Sequence, residues 1–86
     1  MDYSEIRQLG RINVVELLHA LSVGEIIEEY PEDKPYPSAL ILGRSAVNRP
    51  LHVVSAPVLA EQRLIIITTY EPDPARWEAD FKRRKR

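Results

Sequence analysis

Cysteine is absent from this chain of 86 residues, and histidine occurs only twice. Without cysteine there is no disulfide framework, no thiolate metal site and no cysteine nucleophile. His19 and His52 are too few for a zinc site without carboxylate help, so no metal is expected. Long hydrophobic runs are also missing. The run Leu64 to Ile67 falls far short of the roughly 18–20 apolar residues that a membrane span needs. Met1 to Gly10 mixes charged and apolar residues with no continuous apolar core, unlike a signal peptide. Together these absences make a cytoplasmic location, with no membrane association, the default expectation. No nucleotide-binding loop, nucleophile elbow or metal motif is present, and no cofactor is expected.

What remains is ordinary globular composition, 44% hydrophobic and 29% charged, enough for one domain over residues 1–86 with a thin core. The net charge of −1 conceals an asymmetry. Five of the twelve basic residues are the last five, Lys82 to Arg86, and all thirteen acids precede them. Five of those acids fall within Glu25 to Asp33. An acidic body with a basic tip predicts no general affinity for nucleic acid, yet it offers one basic end to a phosphate or an acidic partner. The simplest reading of the acidic run is a solvated edge strand. The simplest reading of the basic run is a solvated helix end.

The pattern predicts an α+β fold: N-terminal helices, a four-stranded antiparallel meander and a C-terminal helix. A short helical turn is expected over Ser4 to Leu9. A second helix begins at Asn13 as cap, with Glu16 three residues on as in a capping box, and closes at Gly24. Its apolar stripe is Val14, Leu17, Leu18 and Leu21. Strands are expected over Glu25–Tyr30, Ser38–Gly43, Leu51–Ala56 and Arg63–Tyr70, with connections too short for crossover helices. Three prolines make the segment from Pro31 to Pro37 a stiff loop. Asp73 as cap and Pro74 as first residue would start the last helix, with Trp77 and Phe81 packing it onto the sheet.

Alternation places Leu64, Ile66, Thr68 and Tyr70 on one side of the fourth strand, and Arg63, Ile65, Ile67 and Thr69 on the other. That strand is apolar on both faces, so something should cover the second face: the C-terminal helix, a second copy or a partner. His52 points away from its neighbours Leu51 and Val53. It is the candidate general base, with Tyr70, Arg49 and Arg63 as possible neighbours. The bland alternative is a strand histidine bonded to backbone. Tyr36 and Tyr70, each close to prolines, could stack on a base or a peptide, although packing is the commoner use.

The segments Gly24-Glu-Ile-Ile-Glu-Glu-Tyr30, Pro35-Tyr-Pro-Ser38, Arg49-Pro-Leu-His-Val-Val54 and Tyr70-Glu-Pro-Asp-Pro74, with Trp77 and Phe81, resemble the family catalogued as domain of unknown function 4258. That family looks distantly similar to the RelE/ParE-like toxins. The resemblance implies a compact toxin-type domain directed at mRNA or another target, and pairing with an antitoxin-like zinc-ribbon protein. It carries Arg49, His52 and Tyr70 forward as candidate catalytic residues. The chain departs from the family before Gly24, where only Arg7 and Arg11-Ile12 echo the usual arginine-rich start and no N-terminal histidine stands. The alternative function is a non-catalytic interaction module that forms a homodimer or holds such a partner.

Overall fold

The computed structural model describes residues 12–85. The turn expected over Ser4 to Leu9 lies outside them. Asn13 precedes the first helix in extended backbone, and its side-chain oxygen accepts the Glu16 amide at 2.8 Å. Glu16 answers through its carboxylate, which accepts from the Asn13 side-chain amide at 3.3 Å. With this cap the helix α1 runs over Val14–Ser22. It is the one α-helix among the described residues.

Four strands follow: β1, Glu25–Tyr30; β2, Ser38–Arg44; β3, Pro50–Val58; and β4, Arg63–Tyr70. They form one antiparallel sheet in the order β1-β2-β3-β4, the meander expected from the short connections. Strands β2 and β3 extend beyond the expected ends. Asn48 and Gln62 take left-handed backbone where the chain turns into β3 and β4.

Helix α1 lies on one face of the sheet. Its buried residues Leu17 and Ala20 join Ile12, Leu51, Val53 and Ile66 in the main core, with Leu21, Ile41 and Leu64 packed around them. The apolar stripe read from the sequence is therefore turned: Val14 and Leu18 are 37% and 40% exposed, and Ala20 takes the inward position. The cause is a close approach of two backbones. A Cβ on Gly43 would stand 2.1 Å from the Ala20 carbonyl oxygen. Only a small helix residue can face a strand at that separation, so Ala20 faces β2 and Leu18 is carried outward. Gly24 serves the same packing, since a Cβ there would meet Ile41 Cγ2 at 2.5 Å. The helix itself ends earlier, with Val23 as its C-cap.

Strict alternation fails on β4. Thr68 pairs with Val54, but Ser55 pairs with Ile66, which leaves Ile67 as an extra residue in a bulge. Leu64 and Ile66 thus serve the helix face, whereas Thr68 and Tyr70 pass to the other. Tyr70 stands directly across from His52.

The expected C-terminal helix is absent. After one turn at residues 74–76 the chain runs back on itself, with Trp77 and Arg84 bridged as antiparallel partners. The Glu78 amide donates to the Arg83 carbonyl at 2.8 Å, and the Lys85 amide donates to that of Arg76 at 2.8 Å. Two aspartates divert the backbone from the helix. The Asp73 carboxylate accepts the Ala75 amide at 2.8 Å, and that of Asp80 accepts the Lys82 amide at 3.0 Å. Trp77 and Phe81 do not share a helix face. Trp77 is buried, while Phe81 adopts φ 58° in the left-handed region.

We expect Gly43→Ala to force α1 away from β2, since the blocking atoms are backbone and cannot rotate aside. Overpacking of this kind costs about 1–3 kcal/mol. A lower urea midpoint with unchanged cooperativity is the expected reading. An unchanged midpoint would show that the helix can lift without cost.

Candidate functional site

The second face of the sheet is closed at one end by residues 72–85, which form a non-helical strap. His52 lies beneath it and is 0% exposed. A polar ring at that depth needs partners for both nitrogens. Nε2 stands 2.8 Å from the Phe81 carbonyl, which can only accept, so Nε2 carries the proton. Nδ1 is then the acceptor, 3.3 Å from the Tyr70 hydroxyl, which donates to it. Trp77 packs edge-on against the imidazole with centroids 4.4 Å apart, and Tyr70 does so at 5.4 Å. The Thr69 hydroxyl donates to the His52 carbonyl at 3.0 Å and fixes the backbone behind the ring.

Outside this pair the strap is held by charge. Arg84 lies over the Trp77 ring, 4.6 Å from its centroid, and grips both oxygens of Glu28 at 3.0 Å. Tyr30 donates to the same carboxylate at 2.6 Å. Lys82 reaches Glu25 at 2.7 Å. The acidic run and the basic run, both expected to be solvated, thus meet each other. Lys82 and Arg84 alternate with Arg83 and Lys85, so every second basic residue faces the acids of β1.

These contacts set the protonation of the site. The bond to Arg84 holds the Glu28 carboxyl below its ordinary value. Burial pushes the Tyr70 phenol up, and burial with the neighbouring Glu28 pushes Tyr30 up to about 12. Burial also depresses His52, against the opposing pull of the Phe81 carbonyl and Glu28. Both members of the pair are therefore neutral near pH 7, with the proton of the Tyr70–His52 bond on the phenol.

Of the three candidate residues, the structure joins His52 and Tyr70 and leaves Arg49 apart. Arg49 pairs with Glu16 at 2.9 Å and with Glu71 at 3.4 Å, tying α1 to the end of β4. Arg63 stands on the far end of the second face and pairs with Glu61 at 3.2 Å. His52 has no open path to a ligand, because Trp77 and Phe81 close over it. Tyr70 is only partly buried, and it lines a cleft of about 330 Å³ with Glu71, Asp73, Arg76, Trp77 and Arg84. A larger hollow of about 520 Å³ lies between the proline-rich loop and β4, lined by Lys34, Tyr36, Ala56, Arg63 and Ile65 among others. Among the described residues no group of three or more His, Asp or Glu is placed to hold a metal ion, and no helix is long and apolar enough to cross a membrane.

Sequence reasoning assigned packing alone to Trp77, read Glu28 as part of a solvated edge and Arg84 as part of a basic end open to a phosphate or an acidic partner, and did not foresee the Phe81 carbonyl. The available signal was the complementary charge of residues 25–33 and 82–86. No local pattern says that the two runs meet.

The chain belongs to the family described as domain of unknown function (DUF4258), whose model matches residues 5–71. The match takes in α1, the whole sheet and the His52–Tyr70 pair, and it ends before the strap. No curated protein and no solved structure matches the chain.

The depressed His52 makes stability depend on pH with a definite sign. The unfolded imidazole, at its ordinary 6.5, takes a proton before the folded one does. Stability is therefore full above about 6.5 and falls as the pH drops from there toward the lower folded value. Glu28 acts in a separate window, below its ordinary 4.5, where protonation releases Arg84. Urea midpoints at about pH 7.5 and 5.5 test this: the wild type should lose stability across that interval, and His52→Gln should lose less. Equal slopes would show that His52 is as easily protonated in the fold as outside it.

Proposed function

We propose that this protein is a RelE-like toxin-type domain that acts on RNA at the Tyr70 cleft. The observation that carries the reading is the position of the Tyr70 hydroxyl. Tyr70 lines a cleft that carries Arg76 and Arg84 beside Glu71 and Asp73, and its hydroxyl reaches the proton-accepting Nδ1 of His52. Cleavage of RNA without a metal begins when a ribose 2′-hydroxyl attacks the adjacent phosphorus. The attack requires removal of the hydroxyl proton and stabilisation of charge on the phosphoryl oxygens.

In this reading Tyr70 takes the 2′-hydroxyl proton while its own proton passes to Nδ1 of His52. The raised phenol value favours such a relay over a preformed phenolate. The 2′-oxygen–phosphorus bond forms, the bond to the 5′-oxygen breaks, and water supplies the proton to the leaving oxygen. The products are a 2′,3′-cyclic phosphate and a 5′-hydroxyl. Burial opposes the imidazolium that results, and the Phe81 carbonyl and Glu28 partly offset that cost. Arg76 and Arg84 supply positive charge to the phosphoryl oxygens. His52 is a positioning residue and proton store, and Tyr70 is the group that meets the substrate. Arg49, the third candidate, supports the cleft from outside by holding Glu71.

A second reading, a non-catalytic interaction module for a zinc-ribbon antitoxin-like partner or a second copy, draws on a different observation. Val14, Val15 and Leu18 form an apolar stripe on the outer side of α1, with Val15 77% exposed.

Strong expression of the wild type is expected to arrest growth, and purified protein should yield RNA fragments ending in cyclic phosphate. Tyr70→Phe should lower cleavage by about 10²-fold or more, the usual worth of a positioned proton-transfer group. The lost partner of His52 Nδ1 should cost about 1–3 kcal/mol of stability, read separately as a urea midpoint. Normal growth and uncut RNA, together with a stable dimer by light scattering, would favour the interaction module instead.

A further inference from the structure

The strap is a structural unit in its own right. Each backbone hydrogen bond that Arg76, Trp77, Glu78, Phe81 and Lys85 donate through their amides closes within residues 72–85. Strand β1 contacts it through side chains, by the pairs Lys82–Glu25 and Arg84–Glu28. The Lys82–Glu25 pair is accessible to solvent, its side chains 44% and 56% exposed, while in the second pair Arg84 is 61% exposed and Glu28 only 26%. The Lys82–Glu25 pair is weak, the two-point grip of Arg84 on Glu28 is the stronger fastening, and salt screens both. Beside these pairs the strap is held by the burial of Trp77 and Pro72 and by the contacts of Trp77 and the Phe81 carbonyl with the His52 ring. Phe81 presents that carbonyl from left-handed backbone, which a bulky residue adopts at a cost. A segment whose backbone bonds close on themselves and whose outer fastenings are ion pairs can leave the sheet without unravelling it.

We propose that residues 72–85 are a charge-latched strap which a polyanion opens, with the phosphates of single-stranded RNA displacing Glu25 and Glu28 from Lys82 and Arg84. The basic residues 82–85 are consecutive, and Arg83 already faces outward, its side chain 77% exposed. A phosphate chain can therefore engage Arg83 first and then compete for its two neighbours. Opening carries Trp77 and Phe81 away together with the strap side of the Tyr70 cleft, so it is a step distinct from cleavage in that cleft. It uncovers His52, which lies on the same face as Tyr70 and Glu28. The proposal rests on the RNA-directed reading for the identity of the polyanion. The release of the strap does not depend on cleavage.

The test is acylation of histidine by diethyl pyrocarbonate near neutral pH, with each site quantified by mass spectrometry of its peptide. His19 on α1 is exposed and serves as the internal reference. In the free wild type His19 should react and His52 should be protected. Saturating poly(U), or the latch variant Glu28→Gln, should speed His52 modification about tenfold or more relative to His19, while the far-ultraviolet signal of the sheet persists. Should Glu28→Gln fold poorly, raising the salt on the wild type screens the same pairs and should give the same increase. In the double variant Lys82→Ala/Arg84→Ala, His52 should react rapidly without poly(U), and poly(U) should add nothing. His52 staying protected until the sheet signal is lost would overturn the strap. Opening by salt or by Glu28→Gln but not by poly(U) would overturn the polyanion as its key. Opening by poly(U) without any cleaved RNA supports the strap and counts against the ribonuclease reading.

Discussion

The arrangement of the second sheet face follows from one requirement, that an imidazole buried without solvent must find a partner for each nitrogen. The Phe81 carbonyl and the Tyr70 hydroxyl meet it from opposite sides of the ring. To bring the carbonyl into place the chain after β4 must fold back over the sheet, so His52 is the anchor of the strap as much as its cargo. Trp77 seals the ring, Arg84 lies on Trp77, and Glu28 holds Arg84 from the far side. The series runs from a carboxylate on β1 to a phenol on β4. Each member fixes the next.

Two backbone details determine that this series exists. Gly43 admits the Ala20 carbonyl to the surface of β2, which seats α1 and settles which helix residues enter the main core. The bulge at Ile67 reverses the facing of the last part of β4. Without the extra residue, Tyr70 would fall on the same face as Ile66, under α1, and His52 would lack its second partner. A single unpaired residue therefore assigns the phenol to the imidazole. The same bulge bends an edge strand that is β-branched along much of its length, which also discourages pairing with other chains.

The strap changes what its charges mean. Basic residues at a chain end usually read as solvated, and so do acids on an edge strand. Here two acids of β1 and two basic residues of the strap pair with each other, so charges that lie far apart along the chain meet in the fold. The cost is accessibility, because the latch covers the ring that lends the cleft its proton acceptor. The cleft beside Tyr70 and the closed chamber over His52 are two sides of one hydrogen bond.

Much of the fold was legible in the sequence. The Asn13 cap, the bounds of β1 and β4, the stiff loop between β1 and β2 and the meander order all follow from local rules: capping, turn residues and connection length. The pairing of His52 with Tyr70 was legible only as a possibility, because alternation read strictly along β4 does not foresee a bulge. The last helix was misread because its start signals were real while its interior was not. Asp73 and Asp80 turn the backbone through their own side chains, and the basic residues gain more from the acids of β1 than from a helix end. By itself the sequence determined α1, the four strands and the order in which they meet, since those preferences act over a few neighbouring residues. The tertiary structure alone decided which face Tyr70 serves, how α1 is rotated and what closes over His52, because each depends on atoms brought together from distant parts of the chain.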